Sequence, residues 1–201
     1  MRAAPTVILA NGDFPRKGGV AFATLAAARR VVACDGAALS YRRRFRRWPD
    51  VVIGDLDSFK TPARGATVVP VAEQDDNDLD KAIAYCRAQG WTDLAIVGAT
   101  GKREDHTIGN VFRALAAGVT MLTDFGTFYP LAGRRRFRVS VGTAISLFAP
   151  DPATRMTSTG LEWPLDGVTF RTLATATLNR ASARSVTLAS DRPVYVYIAH
   201  A

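Results

Sequence analysis

In the first 122 residues, short apolar runs rich in β-branched residues alternate with segments of helical periodicity. Turn residues bound the runs, which predict buried strands at Thr6 to Ala10, Val31 to Cys34, Val51 to Ile53, Leu94 to Val97 and Val119 to Leu122. Helical segments occupy 20–30, 37–47, 78–88 and 105–117, and the proline-containing run 67–71 predicts an edge strand. This alternation predicts a three-layer α/β/α domain with a mostly parallel sheet.

The second part of the chain is all-β in character. It contains short β-branched or aromatic runs at 137–141, 144–148, 168–170, 185–188 and 194–198, without helical periodicity. Such runs are typical of an antiparallel β-sandwich or barrel, and we expect a sandwich. The segment Tyr129 to Gly133 is the predicted crossover. We therefore expect an α/β catalytic domain over residues 1–128 and a β-sandwich domain over residues 129–201.

Composition limits the class of protein. A hydrophobic content of 48% and a charged content of 22% are typical of globular proteins. The longest apolar runs are too short to cross a bilayer, and no secretory signal precedes the first strand, so we expect a cytoplasmic protein without a membrane partner. The two cysteines, Cys34 and Cys86, lack metal-ligand spacing and are predicted to be small buried residues.

The net charge of +8 is concentrated in two arginine clusters, residues 42–47 and 134–138. Neither cluster has the interleaved aromatic residues of a base-stacking platform. We predict that both are solvated basic faces. Steering of a polyanionic small substrate is the next interpretation, and nucleic-acid binding is the least favoured.

Glycine and polar residues follow almost every predicted strand of the first part. The strands continue into Asn11-Gly12-Asp13, Asp35-Gly36, Gly54-Asp55-Leu56-Asp57, Gly98-Ala99-Thr100-Gly101 and Thr123-Asp124. Ligands of open parallel sheets bind outside the carboxyl ends of the strands. Five such endings in series therefore indicate a shared polar site.

Asp55 and Asp57 are the most informative pair in this site. Two carboxylates that project into one polar space repel each other unless a cation lies between them, and Mg²⁺ or Mn²⁺ suits oxygen ligands. The alternative is a strand-to-loop turn whose aspartates bind nearby amides, which the other polar strand ends disfavour. Asp78 opens a predicted helix and is a candidate third metal ligand, whereas Asp75 and Asp76 are predicted to cap that helix.

The segment from Gly98 to His106 is a glycine-containing turn that leads into a helix. Its amides are suited to phosphate binding at a helix N-terminus, and Arg103 offers a bidentate fork. The segment is not a P-loop, because no serine or threonine follows Lys102 in the required spacing. His106, taken alone, is more typical of hydrogen bonding at a helix start than of catalysis.

Six motifs occur in order along the chain: Asn11-Gly12-Asp13, Cys34 to Ala38, Ile53 to Ser58, Asn77 to Ala82, Gly98 to Asn110 and Ser158 to Leu165. Together they resemble the thiamine pyrophosphokinase (thiamine diphosphokinase) family. The resemblance implies a nucleotide-binding α/β domain followed by a thiamine-binding β-sandwich. It also implies an enzyme, a magnesium-dependent diphosphotransferase that forms thiamine diphosphate and AMP from ATP and thiamine. The family's homodimers hold thiamine between domains of two subunits.

The resemblance further implies roles for individual residues. Magnesium is expected at Asp55, Asp57 and Asp78, which form the catalytic set together with Arg103 and Asp105. ATP is expected at Asn11, Asp35, Gly36, Gln74, Asn77, Gly101, Arg103 and His106. Thiamine is expected at Thr157, Ser158, Trp163 and Asn179, with the indole of Trp163 stacked on the pyrimidine.

Some of these residues depart from the family pattern or have a second interpretation. Asn77 stands where the family often has threonine or serine, and Leu178 precedes Asn179 where the family has serine. Trp163 would otherwise be a core aromatic residue of the β domain. Asp105 or a metal-bound carboxylate would accept the proton of the thiamine hydroxyl.

Two other function classes remain open on the sequence alone. One is a metal-dependent nucleotidyl or nucleotide-sugar transferase of the Asp-x-Asp type, which leaves the motif from Gly98 to Asn110 unexplained. The other is a non-catalytic nucleotide-binding module whose basic clusters contact nucleic acid. AMP release that depends on thiamine would exclude the second class.

Overall fold

The computed structural model describes residues 4–56, 65–71 and 77–200. Asp57, in the predicted metal pair, and Gln74, in the predicted ATP site, lie outside these residues. Every helix in the described ranges is too short or too polar to cross a membrane. The chain divides into two compact units, Met1–Asp124 and Phe125–Ala201.

The described part of the first unit contains a parallel sheet of six strands. Its strands are β1 (Thr6–Leu9), β2 (Arg30–Cys34), β3 (Val51–Gly54), β4 (Thr67–Pro70), β5 (Leu94–Val97) and β6 (Thr120–Leu122). They lie in the order β6-β5-β1-β2-β3-β4, and every pairing is parallel. β1, β3 and β5 are buried along their whole length, which explains their continuous apolar sequences.

Four helices of the described residues accompany this sheet: α1 (Val20–Ala26), α2 (Ala37–Phe45), α3 (Asp78–Ala88) and α4 (Glu104–Ala116). Val7 and Leu9 of β1 pack with Leu25 of α1 and Tyr41 of α2 in one core. Ile8 points to the opposite face because side chains alternate along a strand. α3 packs against the sheet through the buried residues Leu79, Ala82, Ile83 and Cys86.

α4 departs from the expected amphipathic pattern. The periodicity of Ile108, Val111, Phe112 and Leu115 predicts a single buried face, and Leu115 is indeed buried. Ile108 and Phe112, however, are 59% and 43% exposed. The apolar stripe of α4 is therefore only partly covered within one chain.

The second unit is antiparallel. Its strands are β7 (Gly126–Arg138), β8 (Ala144–Phe148), β9 (Met156–Thr159), β10 (Ala176–Arg180) and β11 (Ser185–Ala199). The long strands β7 and β11 pair along their length, with an irregular register between Ser190 and Val194. β9 pairs with the first half of β11 and β8 with its second half, and β10 pairs with β8. These strands enclose a second core.

Three sequence-based expectations for this unit are wrong. The run 137–141 coincides with β7 only at its first two residues, because β7 ends at Arg138 before the turn around Gly142. The predicted crossover at Tyr129 to Gly133 lies inside β7. Pro130 and Gly133 suggested a turn, but a strand tolerates them here because they stand close to the irregular register of the β7–β11 ladder. The predicted strand at 168–170 is irregular, and Phe170 is instead a buried core residue. β9 and β10 were missed because they are short and rich in threonine, serine and alanine.

Candidate functional site

The carboxyl ends of β5, β1, β2 and β3 lie side by side and bring four polar turns together. Backbone hydrogen bonds connect neighbouring turns: the Gly12 amide donates to the Gly98 carbonyl at 2.7 Å, and the Asp35 amide donates to the Ile53 carbonyl at 2.9 Å. A side chain at Gly12 would collide with the carbonyl oxygen of Thr100. Glycine at this position therefore permits the close approach of the two turns.

Three carboxylates converge around Gly54, the last residue of β3. A Cβ atom built on Gly54 would lie 3.1 Å from Cβ of Asp35 and 3.2 Å from Oδ1 of Asp78. Burial raises the pKa of Asp78, and the nearby charges of Asp55 and Asp35 raise it further. Asp78 therefore shares one electrostatic site with the carboxylates at the ends of β2 and β3.

Asp35 is the most constrained member of this carboxylate cluster. It is only 5% exposed, and its backbone adopts a left-handed φ of 39°. Within the described part of the chain, its Oδ1 atom is buried without a hydrogen-bond partner. An unpartnered buried carboxylate oxygen suits a cation at this position.

Lys81 lies beside the carboxylate cluster, and the sequence alone did not single it out. Its side chain is 7% exposed, and its Nζ lies 3.7 Å from Oδ1 of Asp78 and donates to the Val71 carbonyl at 3.1 Å. This buried ammonium lowers the pKa of Asp78, but less than burial raises it. The available signal was its spacing of three residues from Asp78 on one helix.

The donor set fits a hard divalent cation. Asp35, Asp55 and Asp78 supply only carboxylate oxygens, the ligands that Mg²⁺ prefers. Among the described residues, no group of three or more acidic, histidine or cysteine side chains is close enough to form a finished metal site. Any further ligand must therefore come from solvent, from substrate or from outside the described ranges.

A cleft of about 330 Å³ opens beside the carboxylate cluster. Residues from several strand ends, from the start of α3 and from the first half of α4 line it, namely Ala10, Asn11, Gly12, Cys34, Asn77, Asp78, Leu79, Ala99, Gly101, Lys102, Arg103, His106 and Asn110. This set includes five of the seven described residues that were expected at ATP. Asp35 and Gly36 lie at the end of β2 and the start of α2 instead.

Asn77 and Asn110 both line the cleft, and their side chains are hydrogen-bonded to each other. The Asn77 side chain accepts a hydrogen bond from the Asp80 amide at 3.0 Å and so caps α3. Its Nδ2 also donates to Oδ1 of Asn110 at 3.4 Å, and Nδ2 of Asn110 donates to the Ala99 carbonyl at 2.9 Å. These bonds connect the start of α3 to the middle of α4 and to the turn that follows β5.

Arg103 and Asp105 form a bidentate pair at the start of α4. Nε donates to Oδ1 at 3.0 Å, and a terminal guanidinium nitrogen donates to Oδ2 at 2.5 Å. These hydrogen bonds hold the pKa of Asp105 below its ordinary value, so this carboxylate stays ionised. Asp105 also accepts a bond from the His106 amide at 2.9 Å.

The Gly101 amide is already used within the chain. It donates to Oγ1 of Thr107 at 3.2 Å, and the Thr107 hydroxyl donates to the Arg103 carbonyl at 3.1 Å. The expected phosphate cradle of backbone amides is therefore occupied at this position by a threonine. Arg103 and Lys102 supply cationic side chains from the same turn, which lines the cleft.

Cys34 lines the cleft, but its thiol is enclosed. Its Sγ donates to the Asp78 carbonyl at 3.4 Å, and burial raises the pKa of the thiol strongly. The thiol therefore stays protonated and is unsuited to act as a nucleophile.

The expected thiamine-binding residues lie in the second unit, and two of the four line a concavity of about 360 Å³. Trp163 and Asn179 line it, and Trp163 is 50% exposed rather than a core aromatic residue. Ser158 lies behind this surface, where its Oγ accepts a bond from the Leu165 amide at 2.9 Å. Thr157 lines a separate surface depression next to Arg155.

Asn179 positions Trp163 through the backbone. Its Oδ1 accepts from the Trp163 amide at 3.2 Å, and its Nδ2 donates to the Trp163 carbonyl at 2.7 Å. Because Asn179 is buried, these bonds are well shielded and fix the segment that carries the indole. The guanidinium carbon of Arg180 lies 5.7 Å from the centre of the indole ring.

The two arginine clusters interact with the chain's own aromatic rings. Arg42 lies over Trp48 at 4.4 Å, and Arg44 lies over Phe22 at 5.1 Å. Arg135 lies 4.9 Å from the rings of Tyr129 and Phe137. These rings are thus already in contact with arginine and do not form a bare stacking surface for bases.

Comparison with known proteins identifies matches over both units. Residues 23–121 match the family model "Thiamin pyrophosphokinase, catalytic domain", and residues 126–197 match "Thiamin pyrophosphokinase, substrate-binding domain". The chain is 28% identical over 177 residues to Thiamine pyrophosphokinase 1 of Arabidopsis thaliana, covering 77% of this chain and 66% of the relative. It is 32% identical over 90 residues to Thiamin pyrophosphokinase 1 of Caenorhabditis elegans, covering 40% of this chain and 37% of the relative. The chain thus spans less than two thirds of the length of these relatives.

Solved structures share the fold. The thiamin pyrophosphokinase from Candida albicans matches with a TM-score of 0.81 at 16% identity, covering 98% of this chain and 90% of the other. The thiamine pyrophosphokinase from Bacillus subtilis matches with a TM-score of 0.73 at 19% identity, covering 96% and 98%. The predicted combination of a parallel α/β unit with an antiparallel β unit is confirmed.

We predict that Asp78→Asn stabilises the metal-free protein at neutral pH. Because the pKa of Asp78 is raised on folding, the folded state binds its proton more tightly, and wild-type stability falls as the pH rises through that raised pKa. The substitution should raise the free energy of unfolding by about 1 kcal/mol at pH 7 and by less at pH 4. Urea denaturation in EDTA at both pH values measures the difference.

The exposed Asp93 provides the matched control for this experiment. Asp93→Asn removes an exposed carboxylate outside the cluster and should change the unfolding free energy by less than about 0.5 kcal/mol at neutral pH. An Asp78→Asn effect that is the same at pH 4 and pH 7 would contradict the proposed electrostatic strain.

Proposed function

The chain belongs to the thiamin pyrophosphokinase family, and from this we propose that it transfers a pyrophosphoryl group from ATP to the hydroxyl of thiamine. The products are thiamine diphosphate and AMP. One observation carries the proposal: a carboxylate cluster and a group of cationic side chains border the same cleft. A triphosphate with its metal needs both kinds of group. Family membership leaves the nucleotide-sugar transferase and the non-catalytic module without support.

We propose that the metal is Mg²⁺, held by Asp55 and Asp78 together with Asp57. Asp35 adds a buried carboxylate oxygen beside them, and its unpartnered Oδ1 supports a cation at this point. When bound, the ion neutralises charge on the phosphates. Lys81 keeps the carboxylate of Asp78 in place from the protein side.

The cleft residues position the reacting groups. In this proposal the nucleotide is bordered by Asn11, Asn77, Gly101 and His106. Arg103 contacts the phosphates of the nucleotide, and Asp105 orients the guanidinium group of Arg103. The hydroxyl oxygen of thiamine attacks the β-phosphorus, the bond from that phosphorus to the α-phosphate oxygen breaks, and AMP leaves. The lowered pKa of Asp105 makes it a weak proton acceptor. We therefore assign the hydroxyl proton to the carboxylate cluster.

The second unit is proposed to bind thiamine. The exposed indole of Trp163 is held by Asn179 at the edge of a concavity, which supports a stacking role toward the pyrimidine. In this proposal Ser158 supports the same segment from behind through its bond to the Leu165 amide. Thr157 stays a predicted thiamine contact. A cytoplasmic location is also proposed, supported by the two free buried cysteines.

Thiamine-dependent AMP formation is the direct test of the activity. With ATP, Mg²⁺ and thiamine, we expect AMP and thiamine diphosphate in equal amounts by ion-exchange chromatography, and no AMP when thiamine is omitted or EDTA is added. Asp55→Asn should lower kcat by about 100-fold or more because it removes a metal ligand. Asp93→Asn should retain wild-type activity. AMP formation that is independent of thiamine would overturn the proposal.

Trp163→Ala tests the thiamine site. Loss of the stacking surface should raise the KM for thiamine about tenfold, while the KM for ATP changes less than about twofold. Trp163→Phe keeps an aromatic face and should restore most of the affinity. Steady-state kinetics with each substrate varied separately gives both constants, and equal increases in the two would argue against stacking.

A homodimer whose active site draws on both copies is the proposed assembly. The apolar side chains exposed on a single chain support it, and they include Ile108 and Phe112 on α4 together with Phe125, Val141 and Leu178. Light scattering coupled to gel filtration should give twice the 21.6 kDa mass of one chain. A particle with the mass of a single chain at micromolar concentration would exclude the dimer.

A further inference from the structure

We propose that Lys102 is a phosphate-binding residue of the cleft, with its ammonium group directed at the phosphate chain of the nucleotide. The inference rests on the proposed ATP site and adds a residue to it. Lys102 stands between Gly101 and Arg103, in the turn that leads into α4, and lines the cleft. Its backbone, its hydrogen bonds and its charge point to the same role.

The backbone of Lys102 adopts a conformation that lysine disfavours. Its φ is 59°, in the left-handed region where the Cβ atom of an L-residue crowds the following carbonyl. Glycine occupies this region without cost, and asparagine or aspartate can compensate with a local hydrogen bond. Lysine has no such compensation. A strained residue at the mouth of a cleft indicates that its side chain serves the site.

The ammonium group of Lys102 is held in place by neutral atoms. Nζ donates to the Asn11 carbonyl at 2.9 Å and lies 3.3 Å from the Asn11 Oδ1 atom. An ammonium has three N–H donors, so these two oxygens leave one for a ligand. The side chain is therefore oriented at the end of β1 before any ligand arrives, which lowers the entropy lost on binding.

The charge of Lys102 has no carboxylate partner among the described residues, in contrast to that of the neighbouring Arg103. Both carboxylate oxygens of Asp105 accept hydrogen bonds from the guanidinium group of Arg103. A cation whose acceptors are all neutral keeps its full attraction for an anion. Of the two proposed substrates, only ATP is anionic, because the thiazolium ring of thiamine is cationic. The phosphate chain is therefore the ligand that fits Lys102.

Equilibrium binding of two ligands to three variants tests this role. The ligands are α,β-methylene-ATP, which cannot release AMP, and adenosine, which has no phosphate; both are titrated by calorimetry with Mg²⁺ present. For Lys102→Met and Lys102→Gly we expect the Kd for α,β-methylene-ATP to rise about tenfold or more. The Kd for adenosine should change less than about twofold. Lys102→Arg should recover most of the affinity for the triphosphate.

Thermal unfolding separates the charge from the backbone strain. Lys102→Gly removes the charge and the backbone strain, and it should melt at the same or a higher temperature than the wild type. Lys102→Met removes the charge but keeps the strained backbone, so its melting temperature should not rise. Lys17→Met removes an exposed lysine outside the cleft and serves as the charge-matched control, with unchanged affinity for both ligands.

The outcomes distinguish this inference from the proposed function. Wild-type protein that binds α,β-methylene-ATP, combined with unchanged affinity in Lys102→Met and Lys102→Gly, overturns the role of Lys102 alone. Equal losses of affinity for the triphosphate and for adenosine also overturn it, because they indicate a merely structural lysine. Wild-type protein that does not bind the triphosphate overturns the ATP site and this inference with it.

Discussion

The main electrostatic constraint on the first unit is the repulsion among the carboxylates of Asp35, Asp55 and Asp78. The parallel register of β2 and β3 fixes two of these residues at neighbouring strand ends, and the start of α3 brings the third against Gly54. Glycine at position 54 leaves the space in which Asp35 and Asp78 approach each other. Lys81 offsets only part of the charge. The fold thus stores unfavourable electrostatic energy at the proposed cation site, and such perturbed groups are typical of functional sites.

Much of this arrangement follows from the sequence. Buried parallel strands have continuous apolar sequences, so β1, β2, β3 and β5 were predictable. The rule that ligands bind at carboxyl ends placed Asp55 at the site, whereas Asp78 was expected there as the first residue of a helix and from the family resemblance. The spacing of Lys81 from Asp78 was too weak a signal to predict its contribution, because a lysine one turn from an aspartate is usually solvated. Burial of that side chain depends on how α3 packs, which sequence periodicity does not specify in detail.

The second unit was less predictable for a different reason. Proline and glycine usually mark turns, but Pro130 and Gly133 lie within a strand whose partner has an irregular register at that level. Local sequence cannot show this, because the partner segment lies about 60 residues away. Similarly, the sequence suggests that Asn179 contacts thiamine, while the structure shows both ends of its amide bonded to the backbone of Trp163.

The enclosed thiol of Cys34 has a consequence for ligand design. A cysteine that lines a nucleotide cleft is often an attractive target for electrophilic inhibitors, which react with the thiolate. Here only 2% of the residue is exposed, its Sγ is bonded to the Asp78 carbonyl, and burial favours the protonated form. Thiol-directed reagents should therefore spare this site. Selective ligands would have to depend on reversible contacts with the shape and charges of the cleft.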